Sequence, residues 1–262
     1  MSWRLLLETY LKFYFRTRRF LVMLPLYVFI SLLTPLLMYT NTIPQPQTVN
    51  AFTAQTLGGV TDDVLLVAAV MAGDAISQDY SQQGYFTLTQ PVHRLKIMLT
   101  RFTSAFLAVS AIMVSTFVIG VAFSYVLYHT TVSTLPQILG LTFLFGASLT
   151  MFIIMFSSMF RSQGLSIIVS ILIVVVAMPL VQGVLMFLSH VEPWFLITYA
   201  SSAVSNLALQ SYPAHVTVTS ELGRKVYVYQ PYVFESVYIM LGYLFFSMAV
   251  AYAVYARKEL NG

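Results

Sequence analysis

The stretch LSIIVSILIVVVAMPLVQGVLMFL, Leu165 to Leu188, decides the fold class because it contains no charged residue. A helix needs about 20 mainly apolar residues to cross the hydrocarbon core of a bilayer. The same standard is met by Phe20 to Tyr39, Ile97 to Tyr128, Pro136 to Phe160 and Tyr232 to Ala256. The sequence therefore predicts an all-α membrane protein with at least these spans.

The composition supports a bilayer as the surrounding medium. Of the 262 residues, 58% are hydrophobic and only 8% are charged, which is too little charge for the surface of a soluble domain of this size. The net charge of +4 does not indicate nucleic acid, because the Lys and Arg residues flank apolar segments instead of forming one basic face. With no cysteine in the chain, disulfides and thiolate metal sites are excluded.

The distribution of basic residues predicts a sixth span. Lys and Arg near the ends of spans mark the cytoplasmic side of a membrane, and they cluster both before Phe20 and from Arg94 to Arg101. If both clusters are cytoplasmic, the chain crosses the membrane twice between them, so a second span is expected within residues 52–77. Six spans, at residues 20–39, 52–77, 97–128, 136–160, 165–188 and 232–256, place both termini in the cytoplasm. Of the 13 Lys and Arg residues, only Arg224 and Lys225 are then outside.

Two interpretations of Asp62 and Asp63 stay open. Thr61-Asp62-Asp63 favours a helix cap at the outer interface, because carboxylates are stabilised at the N-terminal end of a helix. The first outer loop, Thr40 to Thr61, would then be irregular. A helix that starts near Ala51 instead places both acids inside the membrane, where ionisable groups are costly and usually functional. We expect the cap.

Residues 1–19 are predicted to form an amphipathic helix along the inner membrane surface. Arg4, Glu8, Lys12 and Arg16 recur every four positions, opposite aromatic and Leu residues. Such a helix anchors a protein to anionic lipid or docks a cytoplasmic partner, and the pattern alone favours the lipid anchor.

Residues 189–231 are predicted to form an extracellular segment between the fifth and sixth spans. Its first part, PWFLITYASSAVSNLALQ, is too apolar for a free loop and indicates a short re-entrant helix. Its second part, VTVTSELGRKVYVYQ, alternates Val with Thr and then Val with Tyr around Gly223, which is typical of a β-hairpin.

The motifs for catalysis and nucleotide binding are missing from the sequence. There is no GxxxxGK[ST], no HExxH and no GxSxG, so we expect no catalytic residues and no ATPase activity in this chain. A metal or haem site built from His190, Glu192 and His215 on the outer face is an alternative to solvated loop residues, and we expect the latter. No metal and no cofactor is therefore predicted for this chain.

The polar segment 78–94, QDYSQQGYFTLTQPVHR, lies between the second and third spans on the predicted cytoplasmic side. The order Asp79, Gly84, Pro91-Val92-His93-Arg94 and Arg101 resembles the signature of ABC-2 type permeases, the membrane subunits of type V ABC transporters. In that family an acidic residue, a Gly, a Pro-Val-x-Arg and a later basic residue mark the coupling loop. The amphipathic N-terminal helix, the six spans and the extracellular segment before the sixth are also similar to the family's architecture.

The resemblance implies the permease subunit of an ATP-driven transporter that exports a hydrophobic or amphipathic substrate. It implies a location in the cell membrane, plasma or inner, of a bacterium or archaeon. The implied partners are two separate ATP-binding subunits, which hold the ATP and Mg²⁺, and a second permease copy or paralogue. A coupling helix would insert into a groove on each ATPase, and the N-terminal helix would brace the same contact through Arg4, Glu8, Lys12 and Arg16. The residues implied for coupling are Gln78, Asp79, Tyr80, Gln82, Gln83, Gly84, Tyr85, Phe86, Pro91 and Arg94.

Two other classes of function stay open at this stage. A passive channel or carrier would work without ATP, and an intramembrane enzyme would need a catalytic constellation that the sequence lacks. For residues 78–94, the alternative to a coupling segment is an ordinary turn with no partner.

Overall fold

The computed structural model describes residues 3–80, 93–221 and 224–257, and these are mostly helical. In chain order the elements are α1 Trp3–Arg16, α2 Arg18–Tyr39, α3 Val49–Ala72, a 3₁₀ helix Ser77–Tyr80, α4 Arg94–Tyr128, α5 Leu135–Met159, α6 Gln163–Ile171, a π-helical segment Leu172–Ala177, α7 Met178–Phe187, α8 Ile197–Asn206, β1 Val216–Glu221, β2 Arg224–Tyr229 and α9 Val233–Arg257.

Five helices in the described ranges are long and apolar enough to cross a membrane. They are α2, α4, α5, the continuous run Gln163–Phe187 and α9, and they coincide with the five spans predicted directly from apolar length. Many large apolar side chains on their outer faces are exposed, such as Phe29 on α2 and Phe246 on α9. The protein is therefore membrane-embedded.

Helix α5 lies at the centre of the bundle. It is the most buried of the five apolar helices and packs mainly along α9 and α3, while α4 packs against α1, α2 and α3. Small residues allow this close packing: Gly146 has no Cβ, and a Cβ there would lie 2.8 Å from the sulfur of Met113 on α4.

The start of α3 corrects two expectations. The helix begins at Val49, and Thr48 is its N-cap, with Oγ1 accepting a hydrogen bond from the Ala51 amide at 3.2 Å. Residues 49–61 are therefore helical, and the prediction of an irregular loop from Thr40 to Thr61 is wrong for this part. Asp62 and Asp63 lie in the middle of the helix, so the capping prediction is also wrong. Gly58 lies inside this helix, where an added Cβ would be in ordinary contact with Cβ of Ser205 on α8 at 3.7 Å.

The fifth apolar run changes its hydrogen-bonding pattern in the middle. Between α6 and α7, residues Leu172–Ala177 form a π-helical segment, and Pro179 follows at the beginning of α7. Proline has no N–H for the carbonyl four residues earlier, that of Val175, and its ring clashes with that carbonyl. A locally wider helix accommodates this defect, which is a usual cause of π-helical turns.

The segment between α7 and α9 combines a short helix with a hairpin. Helix α8 is ten residues long and packs against α9 and α3. Strands β1 and β2 pair antiparallel, with Val216 opposite Tyr229 and Glu221 opposite Arg224, around the position where the alternation predicts a turn. We call the end of the bundle with α8 and the hairpin the outer end, and the end with α1, the 3₁₀ helix and the start of α4 the inner end.

Candidate functional site

A buried ion pair between Asp79 and Arg101 lies at the inner end. Asp79 lies in the 3₁₀ helix after α3, and Arg101 lies in the second turn of α4. Their relative exposures are 0% and 3%, and Nη2 of Arg101 donates to Oδ1 of Asp79. The second carboxylate oxygen of Asp79 accepts a hydrogen bond from the Tyr255 hydroxyl of α9 at 2.9 Å. The carboxylate of Asp79 is thus shared between α4 and α9.

The guanidinium of Arg101 has further partners on two other elements. Its Nη1 donates to the carbonyl oxygen of Ala75, and its Nη2 lies 3.4 Å from the Tyr10 hydroxyl of α1. Its central carbon lies 4.7 Å from the centre of the Tyr10 ring, which is a cation–π geometry. A buried charge pair offsets its desolvation cost only when additional hydrogen bonds satisfy both ions. These contacts pair both oxygens of Asp79 and both Nη atoms of Arg101, whereas Nε of Arg101 is buried without a hydrogen-bond partner among the described residues.

Arg94 fixes the other end of the predicted coupling segment. It is the first residue of α4, so the last residue of the predicted coupling segment lies in this helix. Its Nη1 donates to the carbonyl oxygens of Tyr255 at 2.6 Å and Ala256 at 3.3 Å, and its guanidinium carbon lies 5.7 Å from the centre of the Tyr255 ring. These carbonyls are in the last turn of α9, where a cation is favoured by the helix dipole.

The turn between α3 and the 3₁₀ helix is held by two serines from other helices. Ser157 Oγ of α5 accepts hydrogen bonds from the amides of Ile76 at 2.9 Å and Ser77 at 3.1 Å. Ser166 Oγ of α6 donates to the carbonyl oxygen of Gly73. Backbone groups that leave the helix are thereby paired inside the protein, as burial requires.

A second ion pair joins the start of α2 to the same turn. Nη1 of Arg19 donates to Oδ2 of Asp74 at 2.7 Å, and Asp74 is buried. Arg19 was expected in the N-terminal interfacial helix, but α1 ends at Arg16, and Arg18 and Arg19 begin α2. Together the contacts of Arg19, Arg94 and Arg101 bind α1, α2, α4 and α9 around the end of α3.

The residues predicted for coupling fall into two groups. Gln78 and Tyr80 are half-buried, and the side chain of Asp79 is turned inward to Arg101 and Tyr255. Arg94 is half-buried against α9. The predictions for Gln82, Gln83, Gly84, Tyr85, Phe86 and Pro91 lie outside the described residues.

The polar residues of α1 lie on its exposed side. Glu8, Lys12 and Arg16 are exposed, whereas Leu6 and Tyr14 are buried; the side chain of Arg4 lies outside the described residues. Nζ of Lys12 donates to Oε1 of Glu8 at 2.7 Å, and this contact holds the pKa of Glu8 below its usual range. An exposed charged face suits either a lipid surface or a partner protein, so both interpretations of α1 remain open.

Asp62 and Asp63 point to different sides of α3. Asp62 is exposed and lines a cavity of about 490 Å³ between α3, α7 and α8. That cavity also has hydroxyl side chains, including Ser201 and Ser205, and apolar side chains such as Phe187. Asp63 lines a smaller cavity of about 120 Å³ against α2 and α4. Both acids therefore lie within α3, and the interpretation as intramembrane acids stays a prediction.

Several site residues were not predicted from the sequence. Tyr255, Tyr10, Asp74 and Arg19 were missed, and Tyr255 carries no local signal because its partner is 176 residues away. Tyr10 and Tyr14 offered a weak signal, since they lie one turn apart on the apolar side of α1.

The protein belongs to the class of mostly helical, membrane-embedded proteins. No protein-family model matches the chain, and no curated protein sequence matches it significantly.

Proposed function

We propose that this protein is the permease subunit of an ATP-driven ABC transporter, and that it couples to separate ATP-binding subunits through residues 78–94. The observation that carries the proposal is the buried pair of Asp79 and Arg101, which joins two charged positions of the permease-like motif. These residues are 22 positions apart, and the pair encloses the segment that would contact the partner. An ordinary surface turn is exposed to water and mobile, so it does not need a buried ion pair to fix its ends.

The anchors of the segment suggest how coupling works. Its first end is tied through Asp79 to α4 and α9, and its second end is tied through Arg94 to the last turn of α9. A partner that displaces residues 81–92 would therefore also move α4 and α9, because both ends of the segment are bonded to these helices. Helices packed in this way respond by small shear movements, which is a common mode of domain rearrangement.

Helix α1 supports the same contact from the side. Its Tyr10 packs on the guanidinium of Arg101, so α1 and the segment share one anchor, and Glu8, Lys12 and Arg16 remain exposed. We infer that α1 braces the ATP-binding subunit through this exposed face.

Six spans are part of the proposal. Helix α3 has 24 residues, about 36 Å at 1.5 Å per residue, which is enough to cross a bilayer core of about 30 Å. Its two acids lower its hydropathy, but Asp62 and Asp63 each line a cavity with polar groups. Ionisable groups in spans usually face such cavities or the bundle interior.

The cargo in this proposal is hydrophobic or amphipathic. The cavity beside Asp62 combines a carboxylate and several hydroxyl groups with the apolar side chains of Leu65, Met186 and Phe187. A mixed lining of this kind suits an amphipathic molecule, with apolar contacts for its body and a few polar groups for orientation. The exposed apolar surface of the chain leaves room for a second permease copy or paralogue and for lipid.

A passive cation carrier is the second candidate, because Asp62 and Asp63 lie in the middle of α3. Acids at this depth mark ion or proton pathways in many membrane proteins. Such a carrier would move its substrate without ATP and without a partner ATPase. The two candidates therefore differ in one directly measurable requirement.

The experiment is purification of the chain from its host with and without replacement of residues 82–86 by Gly and Ser. We expect an ABC ATPase to accompany the natural chain in equal amount and to be lost from the variant. The matched control replaces the five residues 220–224 of the outer hairpin, and it should keep the ATPase. Absence of any ATPase, or an intact complex with the 82–86 variant, would overturn the coupling assignment.

A further inference from the structure

Three side chains with metal-binding atoms meet at the outer end, away from the coupling site. Glu192 follows α7, His215 directly precedes β1, and Glu235 lies in the first turn of α9. One ligand atom from each lies within 4.8 Å of the others, and all three side chains are half-buried. His190, which the sequence suggested as a member of this group, is not part of it within the described chain; its ring lies against that of Tyr227.

The orientation of His215 directs its Nε2 at the carboxylate of Glu192. Its Nδ1 lies 2.8 Å from the carbonyl oxygen of Gln230, and because a carbonyl only accepts, Nδ1 carries a hydrogen. Its Nε2 lies 3.4 Å from Oε2 of Glu192, so a lone pair on Nε2 would face a carboxylate. A cation bound between the two groups would remove this repulsion.

Each of the three side chains makes a hydrogen bond to a neighbouring group through one polar atom and keeps its other polar atom available for a metal ion. The Tyr199 hydroxyl donates to Oε1 of Glu192 at 2.6 Å, which leaves Oε2 towards His215. Oε2 of Glu235 accepts from the amide of Tyr232 at 3.2 Å, and the ring of His215 stacks on the Tyr232 ring at 4.7 Å. Metal ligands in proteins are typically oriented by such hydrogen bonds to their second polar atom.

We propose that Glu192, His215 and Glu235 form a binding site for Zn²⁺. In a tetrahedral zinc site with bonds of about 2.0–2.1 Å, neighbouring ligand atoms are about 3.3–3.4 Å apart. The distance of 3.4 Å between Nε2 of His215 and Oε2 of Glu192 matches this edge. Glu235 completes the three ligands by a rotation of its carboxylate, and the fourth position stays open for water.

The donor set selects among metals. Ca²⁺ and Mg²⁺ take oxygen ligands, so the imidazole disfavours both, and a chain without cysteine offers no thiolate for Cu⁺. Neutral His215 with two carboxylates carries two negative charges, which Zn²⁺ neutralises. The ion would join the hairpin, the start of α9 and the segment after α7, and so fix the outer segment over the bundle whatever the protein transports.

The test is direct metal binding by the full-length protein, purified in detergent and freed of metal with a chelator. We expect one Zn²⁺ per chain, and we expect Co²⁺ to give the visible absorption of a four-coordinate ion. Glu192→Gln, which keeps the size of the side chain, and His215→Ala should abolish stoichiometric binding. Tyr199→Phe, which removes only the orienting hydroxyl, should weaken the affinity by about 10- to 100-fold.

The matched control is His190→Ala, which removes a histidine of the same outer end and should leave the affinity unchanged. Equal binding by the natural protein, Glu192→Gln and His215→Ala would overturn the site and leave adventitious metal only. Failure of the natural protein to bind Zn²⁺ would overturn it as well. Comparison of elution profiles in size-exclusion chromatography separates loss of binding from misfolding.

Discussion

Asp79 illustrates, at the residue scale, how a buried charge differs from an exposed one. Its carboxylate has no exposure and meets Arg101 and the Tyr255 hydroxyl. Forming such a pair contributes little net stability, because both ions lose their hydration. Removing one partner is costly, since the other charge then stays buried without compensation.

Asp79→Asn is therefore expected to lower the free energy of unfolding by about 3–5 kcal/mol. The substitution keeps the shape of the side chain but leaves Arg101 charged and buried. The measurement is unfolding of the purified protein in a titration from mild detergent into sodium dodecyl sulfate. Glu8→Gln is the matched control, because it breaks an exposed ion pair with Lys12 and should change the transition little.

The double variant Asp79→Leu with Arg101→Met makes this prediction sharper. Replacing both ions by apolar side chains leaves no buried charge, so much of the stability lost in Asp79→Asn should return. If the double variant is less stable than Asp79→Asn, the pair contributes more than charge compensation, and the energetic account of the site is wrong.

At the element scale, the end of α3 is a close contact between helices. Gly73 is the residue after the last turn of α3, and a Cβ there would meet the carbonyl oxygen of Ala69 in the same helix and lie 3.1 Å from the Cα of Ile167 on α6. Both neighbours are backbone atoms, which cannot move aside as the end of a side chain can. The chain turns towards Asp74 and Asp79 at this point, so the contact positions both ion pairs.

Gly73→Ala is expected to destabilise the protein by about 1–3 kcal/mol, because the helices must separate to admit the methyl group. Gly59→Ala is the control within the same helix, since nothing lies within 4 Å of a Cβ at Gly59. The control should be neutral or stabilising by up to about 1 kcal/mol, from helix propensity. Thermal denaturation followed by size-exclusion chromatography compares the two, and equal midpoints would contradict the close contact.

The limits of sequence-based prediction are clearest in α3. Its apolar part is short, and Thr61-Asp62-Asp63 has the local pattern of a cap, so local rules placed the helix start too late. The helix extends back to Val49 because Thr48 caps it and because α4, α5 and α8 pack along it. Tertiary packing of this kind overrides local propensity and cannot be read from a single segment.

Those residues of the candidate site that lie close together in the sequence could be predicted from it. Asp79, Arg94 and Arg101 follow each other in one motif, and the structure brings Asp79 and Arg101 into contact. The partners Tyr255 and Tyr10 depend on the register of α9 and α1 against the bundle, which periodicity does not give. The same holds for Glu235, which joins Glu192 and His215 only through the packing of the outer segment.

At the scale of the whole molecule, the distribution of charge predicts how the chain crosses the membrane. Arg16, Arg18 and Arg19 precede the apolar part of α2, and Arg94, Lys96 and Arg101 lie in the first two turns of α4. Both clusters favour the cytoplasmic side. The inner end of the bundle carries both, as the proposed six-span arrangement expects, in which α3 crosses the membrane between them.

Single cysteines test this topology without background, because the natural chain contains none. We expect Thr42→Cys, between α2 and α3, to react with a membrane-impermeant maleimide in intact cells. Lys12→Cys and His93→Cys should react only after the membrane is permeabilised. Their reaction in permeabilised cells also serves as the control that both positions are accessible to the reagent. All three positions are exposed in the folded chain, so differences in labelling report the membrane side and not burial.

The comparison of Thr42→Cys with His93→Cys isolates α3, since this helix lies between the two positions. If α3 crosses the membrane, the two cysteines label from opposite sides. If both label in intact cells, α3 does not cross, residues 81–92 lie outside with residue 42, and a cytoplasmic partner cannot reach both that segment and the exposed face of α1. That outcome would contradict the six-span arrangement and the proposed coupling together, whereas the zinc site, which depends only on contacts at the outer end, would stand.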